Sequence, residues 1–163
     1  MKPFIYLILK IFLLLAIASI GSCWGYQEYW DQQVRALCEK DGGIVIFEEI
    51  NLTKEMYIRN EGHKGNIRIP SKRHAKANHD FYSVTNTTNI KYFNNSKGKL
   101  YVQRVENMIY RQADERLIEK KVYYFRRNGD ILHNLGMHQG SFSCYSIPSI
   151  KNRYDKRFYK YEI

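Results

Sequence analysis

The chain is poor in the features that mark many protein classes. Three prolines and ten glycines in 163 residues exclude collagen-like and proline-rich architectures. No internal repeat and no low-complexity tract interrupts it. No HExxH pair, no GxSxG elbow and no glycine-rich phosphate loop occurs, so the commonest signatures of metalloproteases, α/β-hydrolases and nucleotide-binding proteins are missing. Acids are scarce as well: 16 Asp plus Glu face 26 Lys plus Arg, a formal charge of +10. What is present suits one globular domain, since 44% of residues are apolar, 26% charged and 15% aromatic. The negative mean hydropathy excludes a polytopic membrane protein.

Long apolar runs are confined to the start. Residues 1–22 read MKPFIYLILKIFLLLAIASIGS, with Lys2 and Lys10 the only charges. A basic start, an apolar middle of about 7–15 residues and small residues at the end make an export signal. Ile11–Gly21 is short for about 30 Å of hydrocarbon. Adding Phe4–Leu9 would lengthen it, but Lys10 then sits inside the span, at about 2.5–3.5 kcal/mol. The closing residues Ile20-Gly21-Ser22-Cys23 resemble a bacterial lipobox. That resemblance implies cleavage before Cys23, a diacylglyceryl group on its thiol and acylation of the new amine. The alternative is an uncleaved signal anchor. On either reading the body, 23–163, faces outward from the cytoplasmic membrane. Trp24 stands where the inner-membrane retention signal of Gram-negative lipoproteins places Asp, so in such a host the resemblance favours the outer membrane.

With Cys23 lipidated, Cys38 and Cys144 remain as a pair. A disulfide between them would close a loop of about 100 residues, which chain-entropy reasoning credits with about 4.7 kcal/mol. An exported chain meets the oxidising conditions in which such a bond persists. The other readings are two buried thiols or a metal site, the latter poor without a CxxC spacing.

Beyond the signal the pattern is α+β: an N-terminal helix on an antiparallel meander of about four to six strands. Trp30, Val34, Leu37 and Cys38 recur at helical spacing in 24–40, and Asp41-Gly42-Gly43 stops the helix with a left-handed glycine cap. Ile44–Ile50 reads as a strand, and 51–58 as a short helical turn opened by Asn51 or Thr53. Residues 59–79 read as a long loop with a short strand at Asn66–Ile69. Phe81–Thr85 and Ile90–Phe93 read as separate short strands, then come a turn at 94–98 and long strands at 100–112 and 117–127. Asn128-Gly129 is a strong hairpin signal, and Phe142–Ser146 a last strand or loop around Cys144.

Cys38-Glu39-Lys40-Asp41-Gly42-Gly43-Ile44, Tyr124-Phe125-Arg126-Arg127 and Ser143-Cys144 together resemble a group of small proteobacterial exported proteins. In these a CxKDGG-type start, a Tyr/Arg-rich strand and a late cysteine recur over most of the mature chain. The resemblance implies a paired Cys38 and Cys144 and no particular activity. The basic C-terminal tail, 149–163, is longer here.

Candidate chemistry is sparse. His133 and His138, five apart on a strand, would diverge to opposite faces. His74 and His79 lie in the loop beside Asp80 and read more simply as exposed histidines than as zinc ligands. No metal, cofactor or catalytic residue is expected, and nucleic acid is a poor partner for an exported chain. The remaining lead is charge. Lys72, Arg73 and Lys76 form one basic group, and Lys151, Arg153, Lys156, Arg157 and Lys160 another in the tail. Tyr154, Phe158 and Tyr161 fall at i, i+4 and i+7, the spacing of an amphipathic helix; the other reading is aromatics that cap the core. The expectation is a non-catalytic, lipid-anchored envelope protein. It would bind an anionic envelope component or an acidic protein, in one version as an immunity or inhibitor protein. The alternative is an uncleaved single-pass accessory subunit of an envelope complex.

Overall fold

The computed structural model describes residues 2–95, 98–127 and 140–161, leaving aside the side chains at 2–5, 16, 19–20, 22–24, 26–27, 92–95 and 98–100. The expected hairpin turn at Asn128-Gly129 and His133 and His138 lie outside the described residues. So does the side chain of Cys23.

The fold is α+β, with a five-stranded antiparallel sheet. Helix α1 runs Lys2–Asp41, extending the expected helix back through the apolar segment. Its forty residues make a rod of about 60 Å. The rod has two characters. Leu9, Phe12, Leu14 and Ile17 are between 59 and 68% exposed, whereas Val34 and Cys38 are fully buried. Among the described residues no helix is long and apolar enough to cross a membrane.

Helix α1 ends where the Gly42 N–H bonds the Cys38 carbonyl at 2.9 Å. Gly42 is required by close approach, not by a left-handed cap. A Cβ there would lie 2.5 Å from both the Cys38 carbonyl oxygen and the Tyr154 hydroxyl. The positive φ belongs to Gly43, at 144°, the first residue of β1 (Gly43–Ile46).

The expected strand 44–50 divides into β1 and β2 (Ile50–Asn51). Helix α2, Lys54–Arg59, is opened by Thr53, whose Oγ1 accepts from the Met56 N–H at 3.2 Å. No strand forms at Asn66–Ile69: its neighbourhood is held by a bridge between His63 and Asn66, with a 3-10 turn following at Lys72–His74. The two short strands expected around 81–93 are one, β3 (Phe81–Asn95), paired along its length with β4 (Gly98–Arg111). Asn86 and Asn89 disfavour a strand and read as a break between two short ones, although Thr87 and Thr88 suit a strand. The continuous ladder to β4 overrides that preference and confines the irregularity to a bulge between Asn89 and Lys91.

Strand β5 (Leu117–Arg127) is the centre of the sheet. One edge pairs with β4. The other is shared by β1, opposite Glu119–Val122, and β6 (Ser141–Ser143), opposite Phe125–Arg127. After β6 come a 3-10 turn at Cys144–Ser146, helix α3 (Pro148–Lys151) and a second 3-10 turn at Asn152–Tyr154. Strand β7 (Tyr159–Lys160) then pairs in parallel with β2.

Two apolar clusters result. One gathers Val34 and Cys38 of α1 with Val122, Tyr124, Cys144 and Tyr154; the other gathers Leu52, Phe81, Ile109, Ile118 and Phe158. Two bonds fasten α1 to the first cluster. Cys38 and Cys144 form a disulfide at 2.01 Å with Cα atoms 5.5 Å apart. Arg126 of β5, 1% exposed, grips Asp31 of α1 with Nε–Oδ1 at 2.6 Å and Nη2–Oδ2 at 3.3 Å. A forked pair of this kind is directional as well as attractive, so it sets the rotation of α1 against the sheet.

Candidate functional site

The tail is not an amphipathic helix. Tyr154 and Phe158 are 7% and 2% exposed and belong to different clusters, and Tyr161 stacks on Tyr57 with ring centroids 4.3 Å apart. Their helical spacing is coincidental: β7 pairing with β2 extends the chain there, and the core claims the aromatics. Phe158 also meets Phe81 edge-on at 5.3 Å, bringing the tail to the start of β3.

The eight basic residues fare unequally. Lys72 pairs with Glu115 at 3.2 Å and lies 5.1 Å from the Tyr82 ring centroid. Lys160 pairs with Glu49 at 2.8 Å. Arg153 donates to the Glu39 carbonyl at 3.0 Å and Arg157 to the Gly65 carbonyl at 3.4 Å. Arg73, Lys76, Lys151 and Lys156 are exposed and form no salt bridge among the described residues. Lys156 and Arg157 share a groove of about 630 Å³ with Ile44–Ile46 and Glu49.

Sequence reading missed the larger cleft, about 830 Å³, between the segment 77–81 that leads into β3 and the β1–β2 corner. Asn60, just behind the lining, holds two of its residues, Met56 and Asp80. Fully buried, it donates Nδ2 to the Met56 carbonyl at 2.7 Å and to Asp80 Oδ2 at 2.6 Å, and accepts from the Asp80 N–H at 3.1 Å. Asp80, so held, takes the Arg59 guanidinium at 2.8 and 3.3 Å. Across the cleft Arg111 bonds Glu48, and reaches Asp114 at 3.1 Å. His79, 7% exposed, accepts the Lys76 N–H on Nδ1 at 2.9 Å, so its neutral ring carries the proton on Nε2. The Oε1 atom of Gln112, also in the lining, is buried without a hydrogen-bond partner. These groups arrange two guanidiniums, each neutralised by carboxylates. Among the described residues no Ser, Cys, Lys or Tyr side chain stands beside them in the lining.

His74 turns its Nδ1 to the Ser71 hydroxyl at 2.8 Å rather than toward His79. Among the described residues no group of three or more metal-ligating side chains forms. No signal short of the Asn60–Asp80 contact itself, twenty residues apart, would have located the cleft.

The electrostatics separate two glutamates. Glu106 is held below its ordinary value, chiefly by the Lys120 ammonium at 2.8 Å, with Arg104 at 2.7 Å adding to it. Glu119, opposite Ile46 in the β1–β5 ladder, is 7% exposed and is pushed up by burial, against a hydrogen bond from the Phe158 backbone.

Comparison with family models, with curated proteins and with solved structures finds no match.

A raised folded value means that protonation stabilises this site. That stability is complete below the unfolded value of about 4.3 and is lost as pH rises through the folded value. Glu119→Gln should therefore be more stable than wild type at pH 7, and the difference should close as pH falls toward about 4. Urea unfolding across that range checks it. A variant less stable at pH 7 than at pH 4, relative to wild type, contradicts it.

Proposed function

We propose that this is a non-catalytic cell-envelope protein, held at a membrane by its N-terminal segment and acting through binding. Its partner is an anionic envelope component or an acidic protein, and an immunity or inhibitor role is one form of that activity. The observation that carries the reading is the division of α1. Leu9, Phe12, Leu14 and Ile17 present bulky apolar side chains to solvent, while Val34 and Cys38 are sealed into the disulfide-bonded core. Apolar side chains left outside a folded domain lower their free energy in hydrocarbon, by about 25 cal/mol per Å².

The lipobox-like Ile20-Gly21-Ser22-Cys23 supports removal of 1–22 and a lipid on Cys23, facing the periplasm. A second reading, an uncleaved single-pass anchor on an accessory subunit, is favoured by one feature: α1 is helical without a break from Lys2 through Cys23 to Asp41. For the partner, support comes from the charge of +10 and from the exposed Arg73, Lys76, Lys151 and Lys156. Cations exposed on a folded surface attract anionic surfaces within about a Debye length.

Intact mass of the membrane-extracted protein, beside Cys23→Ala, separates the two anchoring readings. Lipidation predicts loss of residues 1–22 and a lipid increment that the variant lacks. A full-length, unmodified chain removes the lipid anchor and leaves the single-pass form. For the partner, the chain freed of 1–22 should bind vesicles containing anionic phospholipid, and lose that binding as salt rises. Binding that persists unchanged at high salt contradicts a role for the basic residues.

A further inference from the structure

The sheet ends at β3, and among the described residues only the first part of that edge is covered: the Ser83 N–H bonds the Pro70 carbonyl at 2.8 Å, and Ser71 bridges Ser83. Beyond Ser83 no described residue pairs with the outer edge, although β3 continues to Asn95. The Ser83 bond also fixes the phase. Its N–H points away from β4, so by the alternation of an antiparallel ladder Thr85, Thr87 and Asn89 also turn their N–H and C=O groups outward.

Folded proteins blunt such edges with Lys, Pro or bulges. Here Thr85 to Lys91 are all exposed, and Phe81–Ile90 contains no charge and no proline. The first charge, Lys91, and the first bulge come after Asn89. On a chain of net charge +10 two copies repel, and 81–90, without a charged side chain, adds nothing to that repulsion.

We propose that β3 pairs with β3 of a second copy, antiparallel about a two-fold axis at Thr87. That register sets Thr87 opposite its own counterpart and Thr85 opposite Asn89, giving about six backbone hydrogen bonds between copies. It brings Ile90, 43% exposed, to Val84 of the second copy. Isologous pairing uses the edge once and closes, so it yields a dimer rather than a filament. Each copy lends its sheet to the other along a stretch that carries no charged side chain of its own. Salt therefore strengthens the pairing, by screening repulsion elsewhere.

The test is sedimentation of the full chain in a non-ionic detergent, with Thr85→Lys/Thr87→Lys as the variant. Wild type should carry two chains per particle, more completely at high salt, and the variant one. Circular dichroism should be the same for both. A wild type that stays monomeric at high concentration and high salt overturns the proposal. So does a folded variant that remains dimeric, because α1 would then be the contact. Should the double lysine variant fail to fold, Thr87→Cys decides. Mild oxidation should trap it as a disulfide-linked dimer, whereas Arg73→Cys should stay single. Equal cross-linking of both overturns the proposal.

Discussion

The Cys38–Cys144 disulfide joins the last turns of α1 to the segment that follows β6, across 106 residues of chain. Much else depends on it. β6 has three residues, too few to hold its place by ladder bonds alone, and its covalent tie keeps it on the edge of β5 beside β1. The Tyr124 N–H, from β5, points at Cys144 Sγ at 3.1 Å, so the sulfur lies directly against the central strand. Around it sit Val34, Val122, Ile147, Ile150 and Tyr154. The Asp31–Arg126 fork lies on the same interface. The guanidinium has left water almost completely, at 1% exposure. Its desolvation is offset only while the carboxylate stays in reach, and losing one partner of a buried pair costs about 3–5 kcal/mol. Disulfide and ion pair thus act on one helix from two directions.

That helix has two characters. Its C-terminal third is a core element, whereas Leu9, Phe12, Leu14 and Ile17 expose apolar side chains, which the proposed function assigns to a membrane. Because the two are one rod, any force or restraint applied by a membrane to residues 6–17 is delivered to the sheet through Asp31 and Cys38. Under the lipid-anchor reading the rod is cut before Cys23, and a link of about ten residues separates the lipid from the core. Under the single-pass reading the rod stays whole and fixes the domain's orientation at the surface. The polar network of Asp41, Arg104, Glu106, Lys120 and Tyr124 sits at the end of the rod, between α1 and the β4–β5 pair, and reinforces either arrangement.

Much of the fold was legible in the sequence, and the reasons are local. The helical spacing of Trp30, Val34, Leu37 and Cys38, the long strand 117–127 and the cysteine pair all follow from patterns a few residues wide or from simple counting. The failures are equally physical. Asn86 and Asn89 are poor strand formers that join a strand because the ladder to β4 runs through them, with the strand-favouring Thr87 and Thr88 between. Tyr154, Phe158 and Tyr161 keep helical spacing while serving two cores and a stacking contact. Gly42 looked like a turn residue and proved to be a contact residue, pressed by Tyr154 from 112 positions downstream. The basic residues were visible one by one, but which would be spent on Glu49, Glu115 or backbone carbonyls depended on partners distant in sequence. The mixed-charge cleft was invisible for the same reason, since Asn60 and Asp80 meet only once the chain is folded.

The central claim is that the C-terminal third of α1 is locked to the sheet by the Cys38–Cys144 bond. Hydrogen–deuterium exchange, compared between the oxidised protein and Cys38→Ala/Cys144→Ala, tests it most directly. In the oxidised protein the amides of 34–41 should be protected as strongly as those of β4 and β5, and the variant should lose that protection first around α1 and β6. Equal protection of 34–41 in both proteins, or exchange there as fast as in residues 6–17, would contradict it.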